Sequence, residues 1–134
     1  MNDVVVGVDR SDTARRAAVA AAELAAAYGT NLHVVMCVDR GSSINVGVGS
    51  DQFRSDWLTE ADQFLADLGR ELGHDQITHA IGDKDPATAL CDEAARIGAK
   101  VIVVGNRRVQ GVSRVLGSIA SDVLKKAPCD VLIA

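Results

Sequence analysis

The stretch Val101-Ile-Val-Val-Gly105-Asn-Arg-Arg108-Val-Gln-Gly111-Val-Ser-Arg-Val-Leu-Gly117-Ser118 decides the fold. Four consecutive β-branched residues read as a strand buried on both faces, since a half-exposed strand would alternate apolar with polar positions. A loop rich in glycine and arginine follows, and Gly117-Ser118 opens the last amphipathic segment. A strand, such a loop and a helix start, in that order, form the place where α/β folds collect anions. The first-turn amides have no helical acceptor there, and the helix dipole favours negative charge. The connection is also longer than the roughly two to six residues usual between a strand and a helix, which favours a ligand role over a plain turn.

Outward from this stretch the same alternation repeats. On its C-terminal side a helix is expected over 118–126, with Lys125 and Lys126 suited to its dipole, then a break at Pro128 and a final strand over 131–134. On its N-terminal side, Asp85 as N-cap and Pro86 at the first position start a helix that runs to Ile97 and stops at Gly98. A weaker strand over 76–81 precedes it. Further back, a helix over 51–72, ended by Gly73, carries Phe53, Trp57, Ala61, Phe64, Leu65 and Leu68 at helical spacing, a stripe that reads as core packing rather than a ligand surface. The segment 39–50 is rich in Gly and Ser and reads as a loop beside the end of a strand over 31–38. A short apolar run over 3–8 is the first strand. Asp9-Arg10-Ser11-Asp12 closes it, Ser11 caps an alanine-rich helix to Tyr28, and Gly29 stops that helix.

The order βα, βα, βα, βα, β, with crossovers long enough to be right-handed, predicts one α/β domain over 1–134. Its core is an open sheet of five parallel strands with helices on both faces, a three-layer arrangement. In such sheets ligands sit outside the carboxyl ends of the strands where strand order reverses. The expected site therefore draws on Asp9, Val38-Asp39 and the residues from Gly105 to Ser118.

Composition narrows the partners. Apolar residues make up 48% of the 134 positions but aromatics only 3%, which suits alanine-rich helices on a sheet and suits base stacking on exposed rings poorly. A net charge of -4 argues against a nonspecific nucleic-acid or anionic-membrane partner. No signal peptide is expected, because the chain runs straight into Val4-Val5-Val6-Gly7-Val8, and no apolar run approaches membrane-spanning length. Cys37, Cys91 and Cys129 form no CxxC pair and share no ligand spacing with His33, His74 or His79, so they read as buried thiols, with no metal site and a cytoplasmic location.

Three places in the chain resemble the universal stress protein family, and the resemblance covers its whole length. They are Val6-Gly7-Val8-Asp9-Arg10-Ser11, then Gly82-Asp83 with Pro86-Ala87, and the late run from Val103 to Ile133 with its Val-Val-Gly-Asn-Arg, Leu-Gly-Ser and Ala-Pro-Cys-Asp-Val-Leu-Ile segments. The resemblance implies an adenine nucleotide alpha hydrolase-like sheet with strand order 3-2-1-4-5, a homodimer formed through the C-terminal edge strand, and a role in the stress response. It also implies a ligand: ATP, with or without Mg2+, and cyclic AMP as second choice. Carried over residue by residue, Gly7, Val8 and Asp9 would meet the ribose and adenine side, and the Val38 backbone the adenine edge. Val104 and Gly105 would let the backbone approach the phosphates, and Gly117, Ser118 and Ile119 would present amides and a hydroxyl to them.

The chain departs from the family's nucleotide signature at defined points. Arg108 stands where the second glycine belongs, the spacer from there to Gly117 is one residue short, and Ala120 occupies a place where nucleotide binders usually carry a hydroxyl. Gly111 supplies flexibility, while Arg107, Arg108 and Arg114, beside Asn106, bring charge that a phosphate would welcome. Equally, Arg108 could fill the pocket in place of a ligand. No Ser-His-Asp arrangement, Walker lysine or general-base histidine accompanies the loop, so any ATP hydrolysis is expected to be slow and incidental. Three readings compete: a nucleotide-binding regulatory module, a nucleotide-free dimeric interaction protein, and an ATPase or phosphotransferase.

Overall fold

The computed structural model describes residues 2–9, 12–37, 50–73, 77–82, 85–106 and 117–134. Nine elements follow one another: β1 (Val4–Val8), α1 (Asp12–Tyr28), β2 (Leu32–Cys37), α2 (Ser50–Leu72), β3 (Ile77–Gly82), α3 (Pro86–Ile97), β4 (Val101–Val104), α4 (Ser118–Lys126) and β5 (Asp130–Ile133). All five strands are parallel and lie in one sheet of order β3-β2-β1-β4-β5, the expected one. Boundaries move by a residue or so. Helix α2 already includes Ser50, β3 runs on to Gly82, and β5 starts at Asp130. Ser11, Val38, the residues 39–49 and Gln76 lie outside the described residues.

The period of two along each strand sorts the core into two layers. Val4, Val6 and Val8 of β1, Leu32, Val34 and Met36 of β2, and Val101 and Val103 of β4 pack on α1 and α2. Val5, Val35, Ile102 and Val104 face the other way, onto α3 and α4. Both faces of the central strands are therefore dry, which is why these strands read as unbroken apolar runs. Helix α1 turns Ala14, Ala17, Ala18, Ala21, Ala22 and Ala25 inward at helical spacing, and their small side chains let its axis lie close to the sheet. From the expected aromatic stripe, Ala61, Leu65 and Leu68 are buried and Phe64 packs partly against the same layer. The side chains of Phe53 and Trp57 are outside the description. Cys91 is buried and Cys129 only half-buried, so the expectation of buried thiols holds for the first and not the second.

Helices α1, α2 and α3 end on Gly29, Gly73 and Gly98, each with a positive φ near 65°. At Gly98 the turn is closed by its own amide, which donates to Ala94 and Ala95 carbonyls. Only glycine enters that left-handed region without strain, and that is why a glycine after a periodic run marked the helix ends in advance.

Asp3 ties the amino ends of the central strands together. Its Oδ2 lies 3.0 Å from His33 Nε2 and its Oδ1 accepts from the Asn31 amide at 3.3 Å. Burial pushes the Asp3 carboxyl up, but the contacts with His33 and the Asn31 amide outweigh it and hold the group below its ordinary value. A carboxyl depressed in the folded state stabilises above its unfolded range, and that contribution disappears as pH falls through the folded value. Thermal melts stepped downward from pH 5 should show Asp3→Asn losing less stability with acid than the wild type; equal acid limbs would remove Asp3 from the account.

Candidate functional site

Between β1 and β4 the chain departs in opposite directions, β1 feeding α1 on one face of the sheet and β4 feeding α4 on the other. Among the described residues, a cleft of about 410 Å3 opens above their carboxyl ends. That volume lies within the range of roughly 300–1,000 Å3 typical of small-molecule sites. The cleft sits at the switch point of the strand order, the position expected from topology alone.

The expected contact residues converge on it. Gly7, Val8 and Asp9 come from the end of β1, Val104, Gly105 and Asn106 from the end of β4, and Gly117, Ser118 and Ile119 from the start of α4. Val38, Arg107, Arg108 and Gly111 lie outside the described residues. The structure adds walls that were not among the expected contacts: Thr13 and Ala14 from α1, Val35 from β2, Pro86 and Leu90 from α3, and Ala120 from α4. Val35 and Leu90 are apolar residues in the middle of regular elements and look like any other core position in sequence. Pro86 arrives because α3, crossing from β3 to β4, must pass over β2 and β1. Asp85 holds that helix start by accepting from the Thr88 amide at 3.2 Å and from the Thr88 hydroxyl. The same hydroxyl, more than any other contact, keeps the Asp85 carboxyl below its usual range.

The cleft has two chemically distinct parts. Its apolar lining comes from both layers of the core, Val8 and Ala14 from one and Val35, Leu90 and Val104 from the other. A Cβ at Gly7 would stand 2.7 Å from Leu90 Cδ1, so the absence of a side chain at position 7 lets Leu90 settle onto the sheet and leaves the space above it open. The other part is the N-terminus of α4. Its N-cap, Gly117 (φ -67°, ψ 166°), has no side chain to accept from the first turn. The first helical bond is Ser121 N–H to the Gly117 carbonyl at 3.0 Å. Helix geometry therefore gives the amides of Ser118, Ile119 and Ala120 no intrahelical acceptor, and all three residues line the cleft. Among the described residues no lysine or arginine lines it.

The packing gives two of the expected contact glycines a neighbour that the sequence did not announce. The Gly117 amide, expected to face a phosphate, donates to Asn106 Oδ1 at 2.9 Å, so the amides offered to the cleft begin at Ser118. Gly105 lines the cleft as expected, and a Cβ there would meet Thr13, 2.8 Å from Cγ2 and 2.9 Å from the carbonyl oxygen. Its bare Cα makes room for the first turn of α1.

Comparison with known proteins places these features in context. The family model for the universal stress protein family matches residues 1–134. A universal stress protein of Methanocaldococcus jannaschii is 27% identical over 135 residues, covering 97% of this chain and 79% of the relative. Among solved structures, a universal stress protein in complex with cAMP aligns at TM-score 0.71 and 29% identity, over 99% of this chain and 95% of that one. The universal stress protein from Archaeoglobus fulgidus in complex with dAMP aligns at TM-score 0.73 and 27% identity, over 99% and 97%.

Proposed function

Because the chain belongs to the universal stress protein family, we propose that its cleft binds an adenine nucleotide, ATP in the first place, and that the protein acts as a nucleotide-dependent regulatory module in a stress response. The observation that carries this reading is the pairing, in one cleft, of an apolar lining with an uncapped helix N-terminus. A purine needs the first and a phosphate the second. Two similar proteins whose structures contain cAMP and dAMP support it. In this reading the base lies toward Val8, Val35 and Leu90, with the Val38 backbone at its edge. Asp9 and the Gly7 backbone take the ribose, and Ser118 and Ile119 receive the phosphates through their amides. Arg107 and Arg108 supply the charge that neutralises the phosphates, Gly111 belongs to the same ligand-binding stretch, and Mg2+ accompanies ATP where present.

The described residues of the cleft include no histidine or lysine to serve as general base or phosphate clamp, so binding rather than turnover is the expected activity. Among the described residues, no helix is long and apolar enough to cross a membrane. A cytoplasmic site of action is part of the same reading. So is a homodimer. Strand β5 ends the sheet, Leu132 on it is 39% exposed, and an apolar edge of this kind is best covered by the same strand of a second copy. Micromolar sedimentation should therefore return a dimer.

The direct test is equilibrium titration with a fluorescent ATP analogue, competed with ATP, AMP, cyclic AMP and adenosine. Saturable binding displaced best by ATP is expected. No binding at millimolar ligand would reject the nucleotide reading in favour of a nucleotide-free interaction protein, an outcome that Arg108 in place of the signature glycine would explain.

A further inference from the structure

We propose that Asn106 is a positioning residue that aims the first turn of α4 into the cleft and anchors that turn to the C-terminal edge strand. The inference rests on the reading that phosphates are received at α4. Asn106 is one of the few buried polar side chains among the described residues, 4% exposed at the point where β4 leaves the sheet. Its carboxamide oxygen accepts the Gly117 amide at 2.9 Å. Its own amide donates to the Ala134 carbonyl at 3.3 Å, and the Ala134 amide in turn donates to the Val104 carbonyl at 2.8 Å. One residue thus joins the end of β4, the N-cap of α4 and the residue that follows β5.

The chemistry of each bond gives it a separate job. The side-chain bond takes up the first orphan amide of α4 and fixes where the N-cap sits, so the next amides, from Ser118 onward, point together into the cleft. A Cβ at Gly117 would approach Asn106 Oδ1 to 3.3 Å, so glycine at the N-cap allows the two residues to lie this close. Glycine also brings no side-chain acceptor of its own, so the first-turn amides stay open while Asn106 takes the amide of the N-cap residue itself. The main-chain bond to Ala134 holds Asn106 itself, and β5 is the strand that flanks β4 on that side. The direction of the anion-receiving turn consequently depends on a strand that does not line the cleft.

An amide, rather than a carboxylate, is required at this position. Aspartate would accept from Gly117 as well and would suit the helix dipole, so it would preserve or raise stability. It would also place a permanent negative charge beside the seat of the phosphate. Asparagine supplies the acceptor without the charge.

The experiment compares ATP and adenosine affinity, alongside thermal melts, in the wild type, Asn106→Ala, Asn106→Asp and Ala134→Pro. Asn106→Ala should weaken ATP about tenfold, the loss of one well-aligned amide contact to an anion, with adenosine affinity unchanged. Asn106→Asp should melt no lower than the wild type yet weaken ATP by more than about tenfold. Ala134→Pro removes the amide that bonds the Val104 carbonyl, at a residue that does not itself line the cleft; it should weaken ATP and spare adenosine. Wild-type ATP affinity in Asn106→Asp, or an equal fall in ATP and adenosine affinity across the variants, would overturn the positioning role. A wild type that does not distinguish ATP from adenosine would instead overturn the placement of phosphates at α4, and the inference with it. Asn106→Asp, which keeps the acceptor, decides the matter even where Asn106→Ala fails to fold.

Discussion

Replacing Gly105 with alanine is expected to destabilise the protein by about 1–2 kcal/mol and lower its melting temperature by about 5 °C. Two effects oppose each other. Gly105 is not among the glycines with positive φ, so alanine can adopt its backbone conformation and would gain about 0.4–1 kcal/mol by restricting the unfolded chain. Against this, the new methyl would stand 2.8 Å from Thr13 Cγ2 and 2.9 Å from the Thr13 carbonyl oxygen. A threonine methyl can rotate away, but a main-chain carbonyl in the first turn of a helix cannot move alone. Helix α1 would have to lift, and Ala14, Ala17, Ala18 and Ala21 beneath it are 0–7% exposed. Overpacking of this kind costs about 1–3 kcal/mol, more than the entropic gain. Urea denaturation should show the loss, and the double variant Gly105→Ala, Thr13→Ser should recover part of it, since the carbonyl contact remains. Wild-type stability in Gly105→Ala would mean that α1 adjusts freely. Because Thr13 and Gly105 both line the cleft, ligand affinity should fall together with stability.

The second large effect separates stability from binding. Ser118→Asp should weaken ATP by about a hundredfold while leaving the melting temperature unchanged or slightly raised. Ser118 is the first residue of α4 and its side chain is exposed at the cleft. A carboxylate in a helical first turn is favourable by about 0.3–1 kcal/mol, so the fold does not suffer. It would compete for the same amides that the phosphates need. It would also repel them: two unit charges about 5 Å apart near a protein surface oppose each other by about 3 kcal/mol at an effective dielectric of about 20, somewhat less with salt. Ser118→Asn, with the same shape and no charge, should bind nearly as the wild type does. ATP affinity in Ser118→Asp equal to that of the wild type would place the phosphates somewhere other than α4.

Much of the architecture was legible because its signals are local. The unbroken Val4-Val5-Val6 and Val101-Ile102-Val103-Val104 runs announced strands buried on both sides, and the structure divides them by parity between two helical layers. Gly29, Gly73 and Gly98 announced helix ends because a left-handed residue is a local steric requirement. The place of the cleft was legible too, since it follows from strand order. Its full lining was not. Val35, Leu90 and Thr13 reach it through crossovers that bring distant segments together, and their residue types carry no mark of that role.

The roles of single residues divide along the same line. From the order of its residues alone, this chain reads as an open parallel α/β sheet whose last helix starts after its fourth strand, at the place where such folds are expected to receive an anion, because apolar periodicity, caps and glycines act over a few residues. Tertiary structure alone decided why Gly105 is glycine and where the Gly117 amide points. Thr13 occupies the space beside Gly105 and Asn106 accepts from Gly117 across contacts of 92 and 11 residues' separation along the chain, and packing over such distances is set by the closed fold, not by any neighbouring residue.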